Sequence, residues 1–152
     1  MHPVEAVLKR RTSGRVSCAI VARDPALSPT AAADRAVQGV GLHALGDGWL
    51  EISDTDAEVI ATGVLHRDLA YGAEIMPLAQ AAELASDLFA LVPLPTTCFT
   101  NGEWADALGD ADDAGEALES VGFDPISDAT LDAGVVCVGE EVTLLLWVED
   151  ED

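Results

Sequence analysis

Residues 133–148, AGVVCVGEEVTLLLWV, read as two strands joined at Gly139-Glu140-Glu141. In the second strand Val142, Leu144, Leu146 and Val148 fall on one face, and Leu145 and Trp147 on the other. A strand apolar on both faces is a central strand, or one covered by helices on both sides. That places this hairpin in the interior of a sheet on which helices pack.

Working back from this hairpin, helices and strands alternate irregularly. Residues 4–12 carry Val4, Val7 and Leu8 on one side and predict a short helix ending before Gly14. Residues 15–22, RVSCAIVA, read as a strand. Ser28-Pro29 starts a helix that runs to Gln38, with Ser as cap and Pro at the first helical position. Residues 40–53 read as a hairpin turning at Gly46-Asp47-Gly48. Its core side is Leu42, Ala44, Leu50 and Ile52, which puts Trp49 on the polar side. Thr55-x-x-Glu58 fits a capping box opening a helix over 56–71. A very apolar helix follows over 77–91 and is stopped by Pro93 and Pro95. Residues 96–100 predict a short strand, Asn101-Gly102 a turn, and 103–121 a partial helix broken near Gly109. The pattern lacks regular βαβ alternation. It predicts an α+β domain spanning residues 1–152: a mainly antiparallel sheet of four to five strands, including two hairpins, with four or five helices packed on it.

Charge is the strongest functional signal. Residues 68–152 hold twenty Asp or Glu and no Lys or Arg, whereas residues 1–67 hold eight acids and seven bases. The net charge of −21 opposes binding to nucleic acid and to anionic membrane, and it favours a basic protein partner. Salt-adapted proteins are also acidic, but they spread their acids evenly. No run approaches the ~20 apolar residues that span a bilayer. The N-terminal bases are not followed by the apolar core of a secretory signal. Cys18, Cys98 and Cys137 are odd in number and widely spaced, as expected for reduced, buried thiols. These features predict a cytoplasmic protein.

Motifs for chemistry fail on inspection. Asp110-Ala-Asp112-Asp113-Ala-Gly115 resembles the start of a calcium loop, but Ala114 and Val121 stand where ligands are required. His2, His43 and His66 lack zinc spacing. There is no nucleotide-binding glycine motif and no Gly-x-Ser-x-Gly. No cofactor is expected, and the chain is not expected to be an enzyme. Cys98 is the best residue for the contrary reading of a small cysteine- or carboxylate-dependent enzyme.

The acids Asp106, Asp110, Asp112, Asp113, Glu116, Glu119, Asp124, Asp128 and Asp132 crowd into 27 residues. The apolar residues between them must turn inward, so the carboxylates are expected to turn out. Ordinary surfaces mix both signs. The candidate partner-binding set is therefore Asp106, Asp110, Asp112, Asp113, Glu116, Glu119, Asp124 and Asp128, with Trp104 and Trp49 as aromatic anchors. Each tryptophan is equally a candidate for the core. In size, charge and lack of catalytic motif the chain is similar to immunity proteins of toxin–immunity pairs, a resemblance of type that rests on no shared motif. It implies an inhibitor that occludes a basic toxin or nucleic-acid-handling enzyme. The alternatives are an anti-defence protein that mimics nucleic acid and a self-associating domain whose basic helix docks on an acidic neighbour.

Overall fold

The computed structural model describes residues 1–109 and 121–151. Its frame is one five-stranded antiparallel sheet in the order β1-β5-β4-β3-β2. The strands are β1 (Arg15–Ala22), β2 (Leu50–Ile52), β3 (Thr97–Thr100), β4 (Leu131–Val138) and β5 (Val142–Asp150). The helices are α1 (Pro3–Arg10), α2 (Pro29–Gln38), α3 (Asp54–His66), α4 (Leu78–Phe89) and α5 (Trp104–Gly109). This is the α+β architecture expected from the sequence.

The two-sided strand 142–148 sits where its pattern demands. β5 lies between β1 and β4, and both of its faces are covered. Leu144, Leu146 and Val148 join a core with Val7, Ile60, Val64, Leu84 and Leu88 from α1, α3 and α4. Leu145 and Trp147 join a second core with Ala33 and Val37 of α2. The sheet is thus the middle of three layers.

Local rules account for most helix ends. Ser28 Oγ accepts from the Ala31 N–H at the start of α2, and Pro29 occupies the first turn. The start of α3 differs from expectation. Ser53, not Thr55, is the cap, and it accepts from the Asp56 N–H at 3.1 Å. Pairing with Glu58 is absent, and Thr55 lies inside the first turn.

Residues 40–53 do not form a hairpin. β2 pairs with β3, Leu50 opposite Thr100, and Gly46–Gly48 is a 3₁₀ turn. A carboxylate of α2 imposes this path. Asp34 Oδ1 accepts from the N–H groups of Leu45 and Gly46, and from Trp49 Nε1 at 2.7 Å. Trp49 is therefore buried, set edge-on to Trp147 and tilted against Phe99. Of the expected core side, Leu42 is buried and Ile52 half-buried, while Ala44 and Leu50 are exposed.

Asp132 corrects a second expectation, since it turns inward. Fully buried, it accepts from Asn101 Nδ2, Trp147 Nε1, the Ile126 N–H and Ser127 Oγ. A buried carboxylate is tolerable when donors surround it this way. Asn101 in turn accepts from Trp104 Nε1 at 2.8 Å. One polar chain thus links both cores at the start of β4.

Candidate functional site

Three surface or near-surface clusters carry chemistry, and the acidic residues form the largest. Sheet order separates the charges. Six of the seven Lys and Arg lie in residues 1–35, which supply α1, β1 and α2 and hold only three acids. Residues 36–152 hold the remaining base, Arg67, and twenty-five acids. β1 and β2 are the two outer strands of the sheet, so its basic-flanked and acidic-flanked edges are opposite ones.

At the β2 edge eight carboxylates are exposed. Glu51 is on β2, Asp47 precedes it, and Asp54, Asp56 and Glu58 open α3. Glu103, Asp106 and Asp124 belong to α5 and the segments that flank it. α5 packs on α3: Leu108 lies against Gly63, and Gly109 against Val59. Asp124 lies beside Gly48, and its N–H donates to the Asn101 carbonyl. None of the eight forms an ion pair among the described residues. Repulsion among them disfavours the compact state.

The candidate binding residues divide accordingly. Asp106 and Asp124 belong to this edge and are exposed. Asp128 is exposed too, but it lies 4.0 Å from His43 in a groove shared with Arg15, Glu149 and Glu151. Asp110, Asp112, Asp113, Glu116 and Glu119 lie outside the described residues. Trp104 is fully buried against Phe123, and Trp49 is a core residue as described above. Neither is a surface anchor. Each indole N–H has found a buried acceptor, Asn101 for one and Asp34 for the other.

Not every acid of the C-terminal part faces outward. Asp150 is buried against Arg11 in a two-point ion pair of 3.0 and 2.9 Å, and it also accepts from the Leu69 N–H. Asp68 folds its own turn by accepting from the N–H groups of Tyr71 and Ala73. The residues that the sequence left unmarked at the acidic edge are Asp47, Glu51, Asp54, Asp56, Glu58 and Glu103. Their absence of neighbouring Lys or Arg over residues 36–66 was visible; that β2 would take the outer position was not.

The second cluster is Cys98, Cys137, Asp54 and Thr96. Cys98 and Cys137 are register partners on β3 and β4, with Sγ atoms 3.0 Å apart. Asp54 Oδ1 lies 3.4 Å from Cys98 Sγ and accepts from Thr96 Oγ1 at 2.7 Å. The hydrogen bond with Cys98, burial and the Asp54 charge all push the Cys137 thiol well up. A nucleophilic cysteine needs the opposite, a nearby cation or imidazole. Among the described residues no histidine hydrogen-bonds or pairs with a cysteine. His66 is held by the Met76 carbonyl, and His43 faces Asp128. No group of three or more His, Cys, Asp or Glu among the described residues is arranged to hold a metal ion.

The third is a cavity of about 340 Å³ between α2 and β1, lined by Arg35 and Asp24 among mostly apolar residues. No helix among the described residues is long and apolar enough to cross a membrane. No protein-family model matches the chain, and comparison with curated proteins and with solved structures finds no match.

Proposed function

We propose that this chain acts by binding, without chemistry of its own, as an acidic inhibitor of the immunity type. In this reading its β2 edge covers a basic surface on a toxin or nucleic-acid-handling enzyme. One observation carries the reading: eight exposed carboxylates gather at one sheet edge with no paired cation among the described residues. An ordinary surface would intersperse lysines there. A single-sign patch steers a basic partner and raises its association rate, at a cost in stability that a binding role offsets.

With Trp49 and Trp104 committed to the core, apolar contact must come from elsewhere. Leu50 is 44% exposed on the outer strand and is flanked by Glu51. It is the apolar residue best placed to meet the partner. Glu51, Asp106 and Asp124 supply the charge around it.

The test compares two charge-reversed proteins. One carries Glu51→Lys, Asp106→Lys and Asp124→Lys. The other carries Glu83→Lys and Asp87→Lys on α4, in a groove shared with Arg10. Wild type is expected to retain one basic protein from a lysate of the source cell, released by salt. The α4 variant should retain it and the edge variant should not. The purified pair should associate more slowly as salt rises from about 50 to 500 mM, where screening shortens the reach of surface charge. Equal loss in both variants, or an association rate indifferent to salt, would sink the proposal. Displacement of DNA from several unrelated basic proteins would favour nucleic-acid mimicry instead.

A further inference from the structure

The cavity under α2 points to a second, separate binding site. Helix α2 faces the sheet with small residues, and at the β1 edge this leaves unfilled space. Ala32 and Ala36 form one wall, Ala19 and Val21 of β1 the floor, and Leu27 and Val40 the ends. The volume of about 340 Å³ is at the small end of the range for ligand pockets, roughly 300–1,000 Å³.

Two features distinguish it from a packing fault. First, a cation lines it in a protein of net charge −21. Arg35 lines the mouth with its side chain 69% exposed, held on one side by Asp24 at 3.2 Å. Arg15 and Arg23 donate to the carbonyls of Val40 and Leu27, two residues of the lining, but they themselves line neighbouring grooves. Second, the floor carries a polar atom without a partner. Thr143 is 1% exposed and lines the cavity, and its Oγ1 makes no hydrogen bond among the described residues. It is not among the fully enclosed unpaired atoms either, so the hydroxyl opens into the cavity.

We propose that this cavity binds a small apolar carboxylate that carries one further hydrogen-bonding group. The apolar body lies against Ala19, Val21, Ala32 and Ala36. The carboxylate meets Arg35, for which it competes with Asp24. The second polar group pairs with the Thr143 hydroxyl. Elsewhere the long-range field repels anions, but here Arg35 supplies a cation beside the apolar walls.

The test uses 3-hydroxydecanoate as probe, with decanoate and 1-decanol for comparison, followed by titration calorimetry. The flexible chain adapts to the cavity, and the three probes remove one polar group at a time. One-to-one saturable binding is expected, with affinity in the order 3-hydroxydecanoate, decanoate, decanol. Arg35→Gln should weaken both acids about tenfold and leave decanol unchanged, the loss of one charge-assisted hydrogen bond. Thr143→Val should bring 3-hydroxydecanoate down to decanoate. Ala19→Leu, on the edge strand, should fill the cavity and abolish all three. Should Ala19→Leu fail to fold, Val40→Trp at the rim serves the same purpose. Absence of saturable binding, or binding indifferent to Arg35→Gln and to the filling variant, would overturn the proposal. The outcome is independent of the acidic edge, because no residue is shared.

Discussion

Cys98 on β3 and Cys137 on β4 stand directly opposite one another, with their sulfur atoms 3.0 Å apart and both side chains buried. Antiparallel pairing brings them together across 39 residues of sequence. Cys18 lies on β1, separated from β4 by β5. A mild dithiol oxidant such as diamide should therefore join only the first two. Each thiol loses its hydrogen, the sulfurs bond, and the azo compound takes up two electrons and two protons. Mass spectrometry after alkylation of the unfolded protein should show one intrachain bond and one blocked thiol, at Cys18. A bond involving Cys18 would contradict the register.

Stability at high pH should be limited by the buried thiols, Cys18 and Cys137. Burial pushes the Cys18 thiol up to about 12 from its ordinary value near 9.0. The sign follows from proton binding. Between about pH 9 and 12 the unfolded thiol has lost its proton while the folded one keeps it. The folded state is thus fully favoured below that window and loses stability as pH rises through it. The slope is about 1.4 kcal/mol per pH unit for one thiol. Urea unfolding at intervals across this range should show the decline, and Cys18→Ala should make it shallower, leaving the share that Cys137 contributes. An unchanged slope in the variant would assign the decline to other groups.

Arg11 and Asp150 form an ion pair at the junction of α1 and the last strand, and both are buried. Arg11→Met leaves Asp150 with the Leu69 N–H and a buried charge. The expected loss is about 3–5 kcal/mol, the usual consequence of stranding one member of a buried pair. Arg11→Met combined with Asp150→Leu should recover part of this, because no lone charge remains. Chemical denaturation of the three variants would read it directly.

Two glycines should respond oppositely to alanine. A Cβ at Gly134 would collide with the Leu146 carbonyl oxygen and meet the Trp147 side chain at 2.7 Å. At Gly122 it would meet nothing within 4 Å among the described residues. Gly134→Ala should cost about 1–3 kcal/mol or more through overpacking between β4 and β5. Gly122→Ala should be near neutral. Thermal unfolding midpoints would separate them, and equal midpoints would contradict the close approach of the two strands.

Local chemistry made much of the chain legible before folding. The strand 15–22 occupies the residues that its pattern marked, and Ser28-Pro29 opens α2 as capping rules require. Reading failed where a distant side chain decided the outcome. Gly46-Asp47-Gly48 has the composition of a hairpin turn, but Asp34 captures the N–H groups of Leu45 and Gly46 and the Trp49 indole. The same holds for Asp132. Its charge suggested solvent, and partners far along the chain drew it inside.

The sequence alone determined the α+β class and the covered, central place of the strand 142–148. A strand apolar on both faces must be covered on both, whatever the connections, because water penalises either face left bare. It also determined the charge asymmetry, since net charge is a sum over residues. Only the tertiary structure decided which carboxylates face solvent, that both candidate tryptophans are interior, and that the basic-flanked and acidic-flanked strands occupy opposite edges. Those outcomes depend on hydrogen-bond partners and strand neighbours brought together from distant positions, which no local pattern encodes.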